Sequence, residues 1–402
     1  MRIFIITLWV LIYALPSSAV VTAAAPHSSK QQNAENFLSI PFETAMRYVA
    51  EAELEAPAAS RIYALLALSL FNSHQFAMGG DAYKISISQD RYSISREELI
   101  EGVSETLFYK LFPEIAKQPR VLTADNQAAI QHIVSQSLSI LPLPEPIIQY
   151  SEAFQATLIH PEWRDATPLE LVSARQFRAK GPPPFNSPEF LKTLERVRIY
   201  GEDVSEYRLA DGSVSAAFWG NPAGTMTPPG HWNQIAIEAI KDKPYEFQLE
   251  LLLTLNIALY DSGIAAWDTK YHYNYIRPDN YIQKTDPDNP NWKAMGDTPH
   301  HPEYVSGHSA FSGAAAGILT AYFGDTAFCS QSKSMWGLER CFTSFQNAAQ
   351  DAGQSRIYGG IHFDFSNMDG LILGQKVANH TLRRLTEQNV ISLPSKASQK
   401  IK

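Results

Sequence analysis

Three short segments in the last third of the chain carry side chains that together suit the binding of an oxyanion. Residues 270–278 read KYHYNYIRP, residues 301–308 read HPEYVSGH and residues 355–362 read SRIYGGIH. They supply three cations, two neutral hydrogen-bond donors and two imidazoles: Lys270, Arg277, Arg356, Ser306, Gly307, His308 and His362. Such a set can neutralise a tetrahedral oxyanion, with one imidazole bonded to its central atom and the other handling protons.

The first two segments also have ordinary structural explanations when each is taken alone. Lys270 and Arg277 are seven residues apart, so they would share one face of a helix that Pro278 tends to end. Two cations at a helix C-terminus are often simply solvated, because the helix dipole favours them there. Ser306 and Gly307 would lie at a helix N-terminus, whose free N–H groups can bind an anion, yet Ser306 alone reads equally as an N-cap.

The third segment places Arg356 and His362 on either side of a glycine pair. Arginine can hold an oxyanion through two parallel hydrogen bonds. Taken alone, however, this pair would be interpreted as a surface arginine and a core histidine. The presence of all three segments in one chain favours a shared oxyanion pocket over three separate explanations.

These segments must be positioned by helices, because apolar residues recur at three- and four-residue spacing along most of the chain. Residues 60–73 are apolar on most faces, which is typical of a buried helix. Period-2 strand patterns are nearly absent, the best being residues 83–88, and residues 227–230 read as a loop. The sequence predicts helices over residues 42–55, 60–73, 96–111, 125–138, 169–178, 188–200, 231–240, 245–270, 308–323, 345–353 and 369–388.

The pattern as a whole predicts a single all-α domain, a large helical bundle, from residue 38 to residue 390. The chain has 402 residues, with 33 Lys and Arg against 41 Asp and Glu, which gives a net charge of −8. Its 45% hydrophobic and 18% charged residues exclude an intrinsically disordered chain. The sequence pI near 5.8 argues against a nucleic-acid partner.

The first 25 residues have the pattern of a secretory signal peptide. Arg2 is followed by a predominantly apolar stretch of thirteen residues, 3–15, and then by small residues that suit a cleavage site. A helix of that length spans about 20 Å, against roughly 30 Å for a bilayer core. We therefore expect an exported, periplasmic or secreted protein without a transmembrane segment in the mature chain, a disordered segment at 26–37 and a polar tail at 391–402.

The chain has two cysteines, Cys329 and Cys341. In an exported protein they can form a disulfide, and a short closed loop of this kind stabilises a fold by about 3 kcal/mol. Two unpaired thiols are the alternative, and the sequence leaves the choice open.

Taken in order, the three segments resemble the signature of the vanadium-dependent haloperoxidase and type 2 phosphatidic acid phosphatase superfamily. That signature reads K-x6-R-P, then P-S-G-H, then S-R-x5-H. The first and third parts are complete here, and the second has Val305 in place of proline. Residues 181–184 (GPPP), 218–219 (FW), 227–232 (TPPGHW) and 355–363 are similar to the exported bacterial haloperoxidase-like branch, so the resemblance covers most of the mature chain.

The resemblance implies a helical bundle with the oxyanion in its core and vanadate as the cofactor. His362 would be the ligand to vanadium, His308 would be the acid–base group, and Lys270 would also polarise bound hydrogen peroxide. The reaction would use hydrogen peroxide, a halide and a small organic substrate, and would form a hypohalous acid-type halogenating species. The oxyanion-binding residues that it implies are Lys270, Arg277, Ser306, Gly307 and Arg356.

Two further positions bear on the halide through the same resemblance. Seven residues before His308, the fungal chloroperoxidase has Phe and the algal bromoperoxidases have His; here the residue is His301. Three residues before Lys270, the chloroperoxidase has Trp and the bromoperoxidases have Arg; here it is Trp267. The pattern is mixed, and we favour bromide or iodide because both are easier to oxidise than chloride.

The chain departs from the family pattern at three positions. Val305 lacks the fixed φ that proline would give the residue before Ser306. Ser366 stands where the chloroperoxidase type has an acid four residues after its vanadium-bound histidine, and Ser366 with Asp369 reads as a helix capping box. An acid that orients the site is therefore missing or supplied elsewhere. Asn221 stands where the branch is expected to have an acid, on a weak alignment, and is left outside the predicted site.

Two other functions are compatible with these residues. A soluble exported acid phosphatase would use His362 as the nucleophile of a phosphohistidine intermediate and His308 to protonate the leaving group, without vanadate. A non-catalytic oxyanion-binding or cell-surface protein is favoured only by the altered loop at Val305. The sequence does not give the oligomeric state.

Overall fold

The structure is a computed structural model that describes residues 38–85, 94–151, 156–332, 335 and 337–393. It is mostly helical, which confirms the predicted all-α helical bundle. The predicted signal peptide, the segment 26–37 and residues 394–402 of the predicted tail lie outside the described residues.

The helices and strands fall in the following order. The helices are α1 (Ser39–Glu51), α2 (Ala56–Met78), α3 (Arg96–Leu111), α4 (Ala124–Ile140), α5 (Pro188–Tyr200), α6 (Ala210–Phe218), α7 (Thr227–Ile240), α8 (Tyr245–Tyr273), α9 (Pro278–Thr285), α10 (Gly307–Phe323), α11 (Phe345–Tyr358) and α12 (Asp364–Glu387). Two antiparallel hairpins pair β1 (Gln149–Ser151) with β2 (Ala156–Leu158), and β3 (Phe328–Ser332) with β4 (Leu338–Phe342). Two short 3-10 turns cover Pro161–Asp165 and Ala174–Phe177.

Helix α8 forms the centre of the bundle. It is 29 residues long and buried on all sides from Gln248 to Tyr271, as expected for a helix without a polar face. It packs against α2, α10 and α12. Helix α2, predicted from its apolar pattern, is buried along most of its length as well.

Helices α10 and α12 approach each other closely through glycines. A Cβ placed on Gly374 would lie 2.0 Å from the carbonyl oxygen of Ala310, and one on Gly313 would lie 2.3 Å from that of Leu371. Both distances are far below van der Waals contact, so these positions need glycine. The close packing places the N-terminus of α10 beside the first turn of α12, which brings the second and third segments together.

Two predicted elements are wrong in ways that have clear physical causes. Residues 227–230 form the first turn of α7 instead of a loop, because proline is well tolerated at the first positions of a helix. Residues 169–178 contain only the 3-10 turn Ala174–Phe177. The backbone N–H groups of Leu169, Glu170 and Leu171 donate to the buried carboxylate of Asp261, at 2.7, 2.8 and 3.0 Å, instead of starting a helix.

Helix boundaries near the third segment also differ from prediction. Helix α11 continues to Tyr358, so Arg356 lies in its last turn, and α12 begins at Asp364. The predicted capping box is therefore wrong, because Ser366 and Asp369 are both inside α12. Residues 83–85 of the predicted strand are not in a strand, and residues 86–88 lie outside the described residues.

The hairpin of β3 and β4 carries the two cysteines. Cys329 and Cys341 face each other in its register and form a disulfide, which settles the alternative that the sequence left open. This hairpin was not predicted from the sequence. Its strands run along the protein surface, with Ser332 bonded to the carbonyl of Phe218 at the end of α6.

One helical stretch in the described part of the chain, Tyr245–Thr285, is long and apolar enough to cross a membrane. Its most apolar window is 94% buried inside the fold. Long, apolar core helices of soluble proteins meet the same criteria of length and composition.

Candidate oxyanion site

A cavity of about 490 Å³ lies at the N-terminus of α10, and residues from the second and third segments line it. Gly307 and His308 come from the start of α10, Arg356 from the end of α11, and His362 from the loop before α12. The other predicted oxyanion-binding residues lie directly behind these, fully buried: Lys270, Arg277 and Ser306.

Lys270 lies in the last turn of α8 with its ammonium group inside the protein. The Nζ atom donates to the backbone carbonyls of Pro302, at 2.8 Å, and Glu303, at 3.1 Å. Burial, reinforced by the nearby Arg277 guanidinium, holds the pKa of Lys270 well below its usual value. The ammonium therefore points at the loop that carries Ser306 and Gly307.

Arg277 lies between two helices, as its proximity to Pro278 predicted. Helix α8 ends at Asn274 in the left-handed conformation, and Arg277 is the extended residue before α9. Its guanidinium donates to the backbone carbonyls of His301 and Ile361, and to the ring nitrogens Nδ1 of His301 and Nε2 of His362, both at 3.1 Å. Burial lowers the pKa of Arg277 to about 10, so it is charged at neutral pH.

Ser306 and Gly307 stand at the start of α10, as predicted. Ser306 is the N-cap, and its hydroxyl accepts from the N–H of Ser309 at 3.3 Å, so the N-cap interpretation is correct for this side chain. Its hydroxyl hydrogen remains a donor. A Cβ on Gly307 would lie 3.3 Å from the ring of Trp267, so glycine lets the helix start approach the cavity wall closely. The peptide bond between Tyr304 and Val305 is cis, and both side chains are buried.

Arg356 reaches the cavity from the last turn of α11. Its Nε donates to the hydroxyl of Ser355 at 2.9 Å, and its NH2 donates to the carbonyl of Ala216 at 2.9 Å. These bonds fix the plane of the guanidinium. Burial lowers the pKa of Arg356 to about 10, again leaving it charged at neutral pH.

His308 lies one residue into α10 and lines the cavity. Its Nε2 lies 2.9 Å from the carbonyl oxygen of Gly220, so Nε2 carries a proton and the neutral ring presents Nδ1 as an acceptor. Burial and the Arg356 charge hold the pKa of His308 well below its usual value. The imidazole is therefore neutral at neutral pH.

His362 has two partners that define its protonation. Its Nε2 lies 3.1 Å from a guanidinium nitrogen of Arg277, and its Nδ1 lies 2.8 Å from Oε1 of Glu303. A guanidinium can only donate, so Nε2 accepts and Nδ1 carries the proton. Burial, with the Arg277 and Lys270 charges, holds the pKa of His362 well below its usual value.

Glu303 is the residue that the sequence interpretation missed. It lies in the second segment, fully buried, and burial raises the pKa of its carboxyl to about 7. The sequence did contain a signal for Glu303. An acidic residue stands inside the second segment, which was already assigned to oxyanion binding. The family pattern places the orienting acid four residues after the vanadium-bound histidine, in α12 here. Glu303 instead precedes His362 by 59 residues and belongs to a different segment.

The acids near His362 in sequence do not contact it. Asp364 pairs with Arg196, and Asp369 accepts from the hydroxyl of Tyr304 at 2.7 Å. Ser366 lies 3.4 Å from Nδ1 of His362, a long contact beside the 2.8 Å of Glu303.

Asn221 lines the same cavity but contacts a different histidine. Its side-chain nitrogen lies 2.9 Å from Nδ1 of His231, and its backbone is left-handed, with φ of 41°. Asn221 thereby anchors the loop whose Gly220 carbonyl meets His308. An acid is expected at position 221 in this branch. In this chain the hydrogen-bond partner of His308 is instead the backbone carbonyl of Gly220.

Trp267 and His301 lie against each other at the cavity wall, with ring centroids 5.1 Å apart. His301 is also bonded to Arg277 through Nδ1. The two residues that sequence reasoning assigned to a halide pocket are therefore neighbours of the oxyanion residues.

The three buried cations are the defining electrostatic feature of the site. In the part of the chain that the structure describes, none of Lys270, Arg277 and Arg356 forms a salt bridge with an acidic side chain; their partners are backbone carbonyls, a hydroxyl and imidazoles. Buried charges are expected to be paired. The arrangement thus fits a small multiply charged oxyanion, held by the cations and the α10 N-terminus, with the Nε2 lone pair of His362 as a ligand to its central atom.

Comparison with known proteins agrees with this geometry. Residues 250–389, which contain all three segments, match the VCPO second helical-bundle domain. No curated protein sequence is significantly similar to the chain.

Solved structures of similar shape come from bacterial enzymes. A bacterial vanadium-dependent iodoperoxidase superposes with a TM-score of 0.71 at 24% sequence identity, over 90% of this chain and 97% of that chain. The holo form of a bacterial vanadium-dependent chloroperoxidase superposes with a TM-score of 0.65 at 12% identity, over 83% of this chain and 93% of that chain. At these identities the matches establish a shared fold. The domain match and the shared fold agree with the resemblance that the three segments carry.

Proposed function

We propose that this chain, which has the fold of the vanadium haloperoxidase superfamily, is a vanadate-dependent haloperoxidase that oxidises a halide with hydrogen peroxide. The product would be a hypohalous acid-type species that halogenates a small organic substrate. The observation that carries the proposal is a cluster of three buried cations around an imidazole whose Nε2 is unprotonated; among the described residues, these cations form no salt bridge with an acidic side chain. The domain match and the shared fold support an enzyme of this type.

Each proposed ligand has a distinct role in holding vanadate. Lys270, Arg277 and Arg356 would neutralise the oxygens, and the Ser306 hydroxyl and the Gly307 N–H would donate to them. His362 would bond to the metal through Nε2. When bound, vanadate supplies a Lewis-acidic centre that activates hydrogen peroxide without changing its own oxidation state.

His308 is placed to move protons in this reaction. Its Nε2–H is committed to the Gly220 carbonyl, so Nδ1 is the atom that can accept a proton. Because burial keeps the ring neutral, it can take a proton from peroxide or water and return it as hydroxide or water leaves. Lys270, held by two carbonyls, would polarise an oxygen without itself transferring a proton.

Bromide and iodide are the proposed halides. The pair of Trp267 and His301 borders the cavity within reach of the oxyanion residues. Both rings are neutral, since burial and the Lys270 and Arg277 charges hold the pKa of His301 well below its usual value. A neutral, aromatic wall beside buried cations suits a large, polarisable anion.

A phosphatase is the second candidate, and one observation favours it equally. The unprotonated Nε2 of His362, surrounded by cations, would be a competent nucleophile toward a phosphate monoester. His308 would then protonate the leaving group. Since vanadate and phosphate are both small tetrahedral oxyanions, both functions would use one pocket.

Export of the mature protein is part of the proposal. The disulfide between Cys329 and Cys341 is consistent with an oxidising compartment. N-terminal sequencing of protein recovered from the periplasm or medium would test it. A start near residue 26 is expected, and retention of residues 1–25 in the cytoplasm would contradict it.

One competition experiment separates the two activities. Purified mature protein is assayed for iodide oxidation with peroxide and orthovanadate, and for aryl phosphate hydrolysis, each with the other anion as inhibitor. A haloperoxidase oxidises iodide and is inhibited by phosphate. Aryl phosphate turnover inhibited by vanadate, without halide oxidation, would replace the proposal with the phosphatase; absence of both activities would remove both.

A further inference from the structure

We propose that Glu303 is the positioning residue of the site, holding His362 in the tautomer whose Nε2 is unprotonated and can bond to the central atom of the oxyanion. This inference rests on the proposed function. In this chain the acid comes from the second segment, in place of the one missing at Ser366.

The tautomer follows from two contacts on opposite sides of one ring. Arg277 can only donate, so Nε2 of His362 must accept the bond at 3.1 Å. The neutral ring then carries its proton on Nδ1, which donates to Oε1 of Glu303 at 2.8 Å. A carboxylate behind a ligating imidazole fixes the ring and raises its basicity as a ligand.

Glu303 is itself held on several sides. Its Oε1 also accepts from the backbone N–H of Phe363 at 3.0 Å, the residue directly after His362. Its backbone N–H donates to Tyr275 at 2.9 Å, and its backbone carbonyl accepts from Lys270. One residue therefore links the first segment through its backbone to the third segment through its side chain.

The alternative orienting groups are weaker or engaged elsewhere. The hydroxyl of Ser366 is 3.4 Å from Nδ1 and shares its contacts with the Glu303 carbonyl. Asp364 is paired with Arg196, and Asp369 with Tyr304. Glu303 is thus the acidic side chain that contacts His362 among the residues that the structure describes.

The test compares Glu303→Ala and Glu303→Gln with Ser366→Ala as the matched control, measuring orthovanadate affinity of the full mature chain by equilibrium dialysis. Glu303→Ala should weaken vanadate binding about 10- to 100-fold. Glu303→Gln, whose amide oxygen can still accept from Nδ1, should recover part of that loss. Ser366→Ala should change the affinity by less than about threefold, because a 3.4 Å contact is weak. Unchanged affinity in Glu303→Ala would overturn the inference.

A second readout does not depend on vanadate or activity. In ¹⁵N-histidine-labelled protein, the His362 signal, assigned by its loss in His362→Gln, should show Nδ1 protonated with a strongly deshielded proton. Glu303→Gln should move that proton upfield, because a neutral amide replaces the carboxylate. A protonated Nε2 in the wild type, or an unmoved signal in Glu303→Gln, would refute the proposal even if Glu303→Ala fails to fold. Wild-type protein that binds no vanadate yet shows the expected tautomer would contradict only the proposed function.

Discussion

The two imidazoles of the site differ in the group that holds each ring. His362 is backed by a carboxylate, Glu303, and turns an unprotonated Nε2 toward Arg277. His308 is backed by a neutral carbonyl, that of Gly220. A carboxylate favours strong donation to a metal, whereas a carbonyl leaves the ring a weaker base that readily returns a proton. The surroundings thus suit two chemically identical side chains to the different roles proposed for them, metal ligand and proton transfer.

Alanine variants of the two histidines should therefore lose different properties, vanadate binding in one and halide oxidation in the other. His362→Ala should lose bound vanadate, since it removes the atom that we propose bonds to the metal. His308→Ala should retain vanadate binding within about tenfold but lose halide oxidation by about 100-fold or more. Dialysis against orthovanadate and an iodide oxidation assay measure the two effects. Full vanadate content in His362→Ala, or near-normal turnover in His308→Ala, would contradict these roles.

The three cations should contribute to oxyanion affinity individually. Arg356→Ala removes a buried charge-assisted donor and should cost about 1.5–3 kcal/mol, or roughly 10- to 150-fold in vanadate affinity. Arg120, which pairs with Glu101 and Glu105 on the protein surface, offers the control Arg120→Ala. Titration calorimetry with orthovanadate measures both. Equal affinity of Arg356→Ala and wild type would place Arg356 outside the pocket.

Sequence reasoning succeeded where local spacing carries the information and failed where it does not. The spacing of Lys270 from Arg277, and the chemistry of Ser306 to His308, are local, and the structure brings these residues together as predicted. The partner of His362 is 59 residues away in sequence, and local spacing cannot predict such a contact. The bond between Asn221 and His231 was missed for a related reason, because it requires the left-handed turn at Asn221.

Among the elements, the contact between α10 and α12 determines the shape of the site. Their glycines let the backbones touch, so the start of α10 lies next to the loop that carries His362. The backbone N–H of Ser306 donates to the carbonyl of Ser366 at 3.2 Å, which ties the two helix starts together. The site therefore depends on helix spacing as well as on its own side chains.

Gly374→Ala should disturb this contact. Its Cβ would lie 2.0 Å from the Ala310 carbonyl oxygen, so the helices must separate. We expect a loss of about 1–3 kcal/mol in the free energy of unfolding, as for other overpacked positions, with weakened vanadate binding. Urea unfolding and vanadate dialysis measure the two effects, with Lys376→Ala on the exposed face of α12 as control. Wild-type stability in Gly374→Ala would show that the helices are not packed this closely.

The elements that sequence failed to predict are those fixed by tertiary contacts. Residues 169–171 have a helical apolar pattern, yet the Asp261 carboxylate on α8 takes their N–H groups. The hairpin of Cys329 and Cys341 lacks an alternating apolar pattern because the buried positions of β3 are serines, Ser330 and Ser332. By contrast, α8 and α10 were predicted nearly in full, and the middle of α2 was predicted as well, since each helix is long and apolar.

At the scale of the whole molecule, burial in the bundle keeps His231 neutral. His231, in α7, packs against Trp219 and Phe218, and burial lowers its pKa to about 3. The unfolded chain binds a proton at this residue near pH 6.5, whereas the folded chain does not until far lower pH. The contribution of neutral His231 to the free energy of unfolding is therefore fully present above pH 6.5, and it is lost as the pH falls toward 3.

His231→Phe keeps an aromatic ring at this position but removes the titration. Between pH 7 and pH 5, the wild type should lose about 2 kcal/mol from this group, by 1.36 kcal/mol per pH unit below 6.5. The variant should show a pH dependence smaller by that amount, although the lost bond to Asn221 lowers its stability at every pH. Urea unfolding at both pH values gives the comparison. Parallel pH dependences would mean that His231 is not neutral in the folded protein.

The most direct test of the account is halide oxidation by the purified mature protein with hydrogen peroxide, with and without added orthovanadate. The cation cluster and the unprotonated Nε2 of His362 predict iodide or bromide oxidation that appears only with vanadate. This activity should be lost in His362→Ala. Vanadate shown to be bound at the site without any halide oxidation would contradict the haloperoxidase assignment.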